Sequence, residues 1–206
     1  MIRERTPRVD TPRRASRCVR RCIEAAAREL FLARGYDATT MEAVAHSAMV
    51  SKATVYAHFP GKQALFAELL EASEDAPAAP AESDRAPISA ETILTTLARQ
   101  ILDGLTAPHA IAMMRVVTGI AGILPEFGAT LYQRTIEPKR AAILLTLQYL
   151  DDAKLISHAD TEQSADIFLR LLTGDFYIRL LLGKNIKTDK ECFITSVVTT
   201  FLRVYR

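Results

Sequence analysis

The chain has 206 residues, 49% of them hydrophobic, with 26 Lys and Arg against 24 Asp and Glu and a formal net charge of +2. That length holds a small domain and a larger core, and the composition excludes a disordered chain. The longest apolar stretch, residues 110–124, is interrupted by Arg115 and falls short of the ~18 apolar residues a membrane span needs.

The charge is unevenly spread. Residues 1–62 carry 12 basic against 6 acidic side chains, net +6, whereas residues 63–206 carry 14 against 18, net −4, so the N-terminal part is the one suited to a polyanion. Eight arginines precede Cys22, at positions 3, 5, 8, 13, 14, 17, 20 and 21, in a segment with Pro7 and Pro12 and almost no apolar residues. The segment reads as a flexible basic arm, with residues 1–12 outside any domain. Arg13, Arg14 and Arg17, adjacent to the first domain, are candidate phosphate contacts, while Arg3 to Arg8 read equally well as a solvated tail. No signal peptide is evident, and a transit peptide does not suit a segment joined directly to the paired short helices of residues 39–62, so a cytoplasmic location is expected.

A helix comes next in which Ile23, Ala26, Ala27, Leu30 and Phe31 recur at helical spacing, with Gly35 as its C-terminal cap. Cys18 and Cys22, one turn apart, read as buried small hydrophobes, and three cysteines give no even disulfide framework. The four histidines are scattered without ligand spacing; neither a metal nor another cofactor is indicated.

Thr39 to Lys62 reads as a short helix, a three-residue turn, a second short helix and a stop. Thr39 and Glu42 stand at capping-box spacing for the first helix, whose buried stripe is Met41, Val44, Ala45 and Ala48. Ser51 is the expected N-cap of the second, which Pro60 and Gly61 terminate. Val50, Val55 and Phe59 fall on one side, leaving Ser51, Lys52, Thr54, Tyr56 and His58 on other faces. A helix with such an outer face suits the DNA major groove, although a helical hairpin with a polar surface has the same spacing.

A helix from Gln63 to about Ser73 and a Pro-rich loop at residues 74–87 come next. Helical patterns resume near Ile88 and break at Pro108, at residues 122–125, at 137–138, at 151–152 and at Gly183. No strand alternation appears, so the fold class is all-α. Asp160 with Gln163 begins a helix expected to end at Gly183, and Thr188 with Glu191 begins another that runs to the end. Their apolar faces are wider than one protomer's core requires, which points to a homodimer. Ile167, Leu171, Ile178, Leu182, Phe193, Val197, Phe201 and Tyr205 are the expected interface. No Gly-rich phosphate loop, paired metal-ligand motif or nucleophile elbow is found, so an enzyme is not expected.

The runs F-x-x-x-G-Y-x-x-T-T-M at Phe31 to Met41 and V-S-K-x-T-V-Y-x-H-F-x-x-K at Val50 to Lys62, within a feature order that extends from Thr11 to Phe66, resemble the tetracycline-repressor (TetR) family of transcriptional regulators. The resemblance implies a three-helix DNA-binding domain over residues 13–62 and a helical effector-binding and dimerisation domain over 63–206. It implies that Ser51, Lys52, Ala53, Thr54 and Tyr56 lie on or at the start of the recognition helix, and that Thr40, Tyr56, His58 and Lys62 touch phosphates. Met49 departs from the pattern, standing where the family usually has the turn glycine, and Ala53 stands where glycine is also common.

The middle section, residues 88–150, is similar to divergent effector domains of the family. That similarity implies a pocket for a small hydrophobic or amphipathic effector, which Leu97, Met113, Met114, Val117, Tyr132, Phe168 and Phe176 are candidates to line, with Arg115 or His109 as a polar anchor. Core packing explains the same residues equally well. The expected function is a dimeric repressor of a pseudo-palindromic operator, released by its effector. The alternative is a helical ligand-binding or interaction protein with only non-specific DNA affinity.

Overall fold

A computed structural model describes residues 12–71, 89–157, 160–184 and 189–205. Among the described residues there are eleven α-helices and no strand, the all-α class expected from the periodicity. Two compact units meet in the chain between Leu69 and Leu70.

The first unit holds α1 (Pro12–Arg34), α2 (Met41–Ser47), α3 (Lys52–His58) and most of α4 (Lys62–Glu71). Ile23, Ala27, Phe31, Val44, Val55, Leu65 and Phe66 are fully buried and form its core. Phe66 meets Phe31 and Tyr36 edge-on, with centroids 4.8 and 5.1 Å apart, the geometry that aromatic quadrupoles favour. Gly35 follows α1 at φ +80°, where a side chain is strained.

Three sequence expectations are corrected in this unit. α1 begins at Pro12, a residue whose fixed φ suits a first helical position, so positions 13–21 belong to a helix and not to an arm; residues 1–11 lie outside the described residues. Cys18 and Cys22 are exposed. The inward stripe runs through Val19, Ile23, Ala27 and Phe31, and each cysteine stands one residue, or about 100°, behind it. The N-cap of α2 is Thr40, whose hydroxyl accepts from Ala43 N at 3.1 Å; Thr39 is buried and donates its hydroxyl to Gly35 O at 2.8 Å.

The second unit contains α5 (Ala90–Thr106), α6 (Pro108–Ile120), α7 (Pro125–Thr135), α8 (Glu137–Asp152), α9 (Thr161–Thr173), α10 (Asp175–Leu181) and α11 (Lys190–Tyr205). Ser89 caps α5, accepting from Thr92 N, and a proline in the first turn opens α6, α7 and α8. Leu94, Ala98, Ile101, Leu102 and Leu105 of α5 pack with Ile143, Leu147 and Leu150 of α8, Phe168 and Leu172 of α9, and Ile194 and Phe201 of α11. Arg99 donates to both carboxylate oxygens of Glu191 at 2.9 and 2.6 Å, and Lys190 pairs with Asp103, so two ion pairs tie α5 to the start of α11.

The expected helix from 160 to 183 is two helices. Asp160 caps α9 through Gln163 N, but the backbone leaves the helical region at Gly174 (ψ −134°), and α10 starts afresh at Asp175. A Cβ at position 174 would stand 3.3 Å from Arg170 O, which the Gly174 N–H itself reaches at 2.9 Å. α10 then closes on Gly183 at φ +71°, with Gly183 N–H on Leu180 O and Lys184 N–H on Arg179 O. The cap of α11 is Asp189, whose carboxylate accepts from Cys192 N at 3.2 Å; Thr188, expected in that role, lies outside the described residues.

Candidate DNA interface

The turn between α2 and α3 fixes how the second helix is presented. Met49 N–H bonds to His46 O at 3.1 Å and Val50 N–H to Ala45 O at 3.0 Å, the two reciprocal bonds of a helix end whose next residue is left-handed. That residue is Met49, at φ 54° and 92% exposed. A non-glycine side chain at this position costs on the order of 1 kcal/mol, and the backbone bonds hold the turn nonetheless.

Ser51 then starts α3: its Oγ accepts from Thr54 N at 3.0 Å and lies 2.8 Å from Thr54 Oγ1. Val55 and Phe59 are buried against the rest of the unit, and Phe59 ends the helix in an extended conformation before Pro60. The opposite side of α3 carries exposed Lys52, Ala53 and Tyr56, with Thr54 and His58 half-buried. Thr40 and Arg17 are also exposed, the first at the start of α2 and the second on α1; Arg13 and Arg14 lie in α1.

Two of the expected DNA contacts already have partners within the unit. Lys52 is paired with Glu42 of α2, and its ammonium stands 5.8 Å from the Tyr56 ring centre. This pairing raises the lysine pKa and lowers that of the Glu42 carboxyl, the shared hydrogen bond being the main cause in both directions. Lys62 Nζ donates to Tyr36 O at 3.0 Å and lies 4.3 Å over the Tyr36 ring. It fastens the start of α4 to the turn after α1. Arg20, among the eight N-terminal arginines, is held by Glu24 at 2.9 Å and Glu68 at 2.8 Å and covers Phe59 at 4.6 Å, so it supports α3 from behind. The Glu42 partnership was hidden in the sequence because the spacing to Thr39 assigned that carboxylate to a cap.

In the second unit the expected effector residues differ in burial. Leu97, Met113, Val117 and Phe168 are buried, Met114 and Phe176 are half-buried, and Tyr132 is exposed. Arg115 donates from Nε to Leu181 O at 2.8 Å and from Nη2 to Leu180 O at 2.6 Å, closing the C-terminal end of α10. A cleft of about 350 Å³ opens between Tyr132 and Ile136 at the end of α7, Arg140 of α8, Asp166, Leu169, Arg170 and Thr173 of α9, and Tyr177 of α10. Of the expected pocket residues, only Tyr132 lines it.

The expected interface residues also separate. Val197 and Phe201 are buried in the protomer's own core, and Tyr205 stacks on Phe201 at 4.4 Å. Phe193 is half-buried and stacks on Phe176 at 4.6 Å, and Ile167 and Leu171 are half-buried. Ile178 and Leu182 are 54% and 72% exposed. Among the described residues no helix is long and apolar enough to cross a membrane, and no group of three metal-ligating side chains comes together.

A tightly capped second helix, held at a fixed angle by a bonded turn and presenting Lys52, Ala53 and Tyr56 outwards beside a basic α1, defines a helix-turn-helix DNA-binding regulator of transcription. Residues 23–69 match the family described as bacterial regulatory proteins, tetR family, and residues 92–206 match the C-terminal domain of AefR-like transcriptional repressors; the chain belongs to the tetR family. Among solved structures it is similar to a TetR-family transcriptional regulator from Mesorhizobium loti MAFF303099 (26% identity, 92% of this chain and 98% of that one, TM-score 0.76). It is similar also to the flavonoid-responsive regulator FrrA (28%, 92% and 97%, 0.72). A TetR transcriptional regulator from Agrobacterium tumefaciens shares the fold at 21% identity (91% and 94%, 0.79). No curated protein matches the chain.

Proposed function

We propose that the protein is a cytoplasmic repressor that binds a pseudo-palindromic operator as a homodimer and is released by a small hydrophobic or amphipathic effector. The observation that carries the DNA half of this reading is the outer face of α3, where Ser51, Lys52, Ala53, Thr54, Tyr56 and His58 stand around a helix whose inner side is fixed by Val55 and Phe59. Residues near the start of such a helix read base edges, and Thr40, Arg13, Arg14 and Arg17, with Lys62, supply phosphate contacts that set register. Lys52 and Lys62 exchange their internal partners for DNA on binding.

Ile178 and Leu182, left uncovered by the protomer, together with half-buried Ile167, Leu171, Phe193 and Tyr205, support a twofold contact; Val197 and Phe201 back it from the core. Effector control rests on family membership and on the responsiveness of FrrA, a relative named for flavonoids. An effector weakens DNA binding by its preference for a protomer arrangement that the operator does not accept.

The test is selection of random duplex DNA by the purified protein, followed by titration of the best site and a scrambled duplex at two salt concentrations. A palindromic consensus bound about 10³-fold more tightly than the control is expected. Salt-sensitive binding with no consensus would sink the operator reading.

A further inference from the structure

The cleft between α7, α8, α9 and α10 contains two polar groups that the fold leaves without a role. Tyr177 lines it with only 8% of its surface exposed, and among the described residues its hydroxyl has no hydrogen-bond partner. Buried hydroxyls are ordinarily satisfied, because removing one from water without a partner is unfavourable. Burial raises the phenol's pKa, so the group is a neutral O–H donor. Arg170, on the rim, has no ion-pair partner among the described residues.

The other polar groups of the cleft are accounted for. Arg140 donates to Asp166 at 2.6 Å and stands 3.6 Å from Glu162, and the Thr173 hydroxyl donates to Leu169 O at 2.8 Å. What remains open is one buried hydroxyl donor and one guanidinium fork, beside apolar walls from Tyr132, Ile136 and Leu169. The volume of about 350 Å³ is at the small end of the range for ligand sites.

We propose that this cleft binds a small aromatic carboxylate, its ring against Tyr132, Ile136 and Leu169 and its anionic oxygens taking the Tyr177 hydroxyl and the Arg170 guanidinium. A carboxylate accepts from both donors at once, which a neutral amide cannot match because it brings its own donors to a site with few free acceptors. As an effector site this rests on the repressor reading; as a binding site it stands by itself.

The experiment is calorimetric titration of the full chain with benzoate and 2-naphthoate, each set against its primary amide. One carboxylate per chain is expected to bind saturably, with the amide at least about tenfold weaker. Arg170→Gln on the rim is expected to weaken the carboxylate about tenfold and Tyr177→Phe about fivefold, with amide binding unmoved by Arg170→Gln. Failure of both carboxylates to saturate, or equal binding by wild type and both variants, overturns the site. Operator affinity is measured in the same samples: a carboxylate that binds and leaves DNA affinity unchanged keeps the cleft and removes its role as effector site, whereas loss of the cleft leaves operator binding as it was.

Discussion

The ammonium of Lys52, first residue of the recognition helix, is paired with the carboxylate of Glu42 on the helix before it. Both side chains are more than half exposed, so the pair is weak in water and open to exchange for a phosphate or a base edge. If Lys52 meets DNA as proposed, Glu42 competes with the nucleic acid for it.

Glu42→Gln is thus expected to bind the operator more tightly, by up to about fivefold at low salt, the modest gain that an exposed and salt-screened pair can release. Lys52→Ala weakens binding and lowers the magnitude of the salt slope by about 1 if the amine meets a phosphate. Fluorescence anisotropy on a labelled operator across a salt series measures both. Equal affinities for wild type and the two variants would remove Lys52 from the interface.

Met49 makes a separate prediction about stability. Its backbone is left-handed and its side chain almost wholly exposed, so replacing it loses no packing and relieves strain. Met49→Gly is expected to stabilise the first unit by about 1 kcal/mol, less the entropy that glycine adds to the unfolded chain. The midpoint of urea unfolding should rise with no change in slope. A fall in midpoint would mean that the turn is not strained.

The Glu191 carboxylate, held by the Arg99 guanidinium, has its pKa lowered from the usual 4.5, the hydrogen bond to Arg99 being the largest cause. A depressed carboxylate contributes stability that is present above its unfolded value and lost as the pH falls through the folded one. Glu191→Gln should therefore melt at a lower temperature than wild type near neutral pH, and the gap should close on acidification below about pH 4. A gap that persists at low pH would assign the loss to packing.

Leu182 lies at the end of α10 with 72% of its surface exposed and Ile178 one turn before it, yet both are large and apolar. If a second copy covers them, Leu182→Asp shifts sedimentation towards the monomer and lowers operator affinity, and the thermal midpoint loses its dependence on protein concentration, while the substitution itself costs the folded protomer no more than about 0.5 kcal/mol. A variant that remains a dimer would place the interface elsewhere.

How far the sequence carried the reading depended on whether the signal was local. The caps at Ser51 and Asp160, the stop before Pro60 and the breaks at Pro108, at residues 122–125 and at 137–138, after which prolines open α6 to α8, are decided within four residues, and they stand where spacing put them. The helix break at Gly174 was missed because the apolar period of Phe168, Leu172 and Phe176 runs through it, leaving one glycine as the only mark. Thr39 and Thr40 are adjacent and chemically alike; only the burial of the first and its bond to Gly35 separate a core threonine from a cap. Partners distant in sequence were the least legible. Arg115 with the end of α10, Lys62 with Tyr36 and the cleft residues around Arg170 are brought together by helix packing, which no pattern along the chain encodes.

Tyr177 allows that packing to be tested without a ligand. Its hydroxyl has no partner among the described residues, so Tyr177→Phe removes an unsatisfied group while keeping the ring in the core. At neutral pH the variant is expected to be as stable as wild type or more stable, by up to about 1 kcal/mol, where a bonded hydroxyl would have made it less stable by a similar amount. The alkaline side gives a second reading. Burial raises the phenol's pKa above the ordinary 10.0, so this group's stability is present below that value and is lost as the pH climbs past it, the unfolded chain ionising first. Wild type should therefore lose more stability than Tyr177→Phe between about pH 9 and about pH 11. Destabilisation of the variant at neutral pH would show that the hydroxyl is already bonded within the fold and has nothing to offer a ligand.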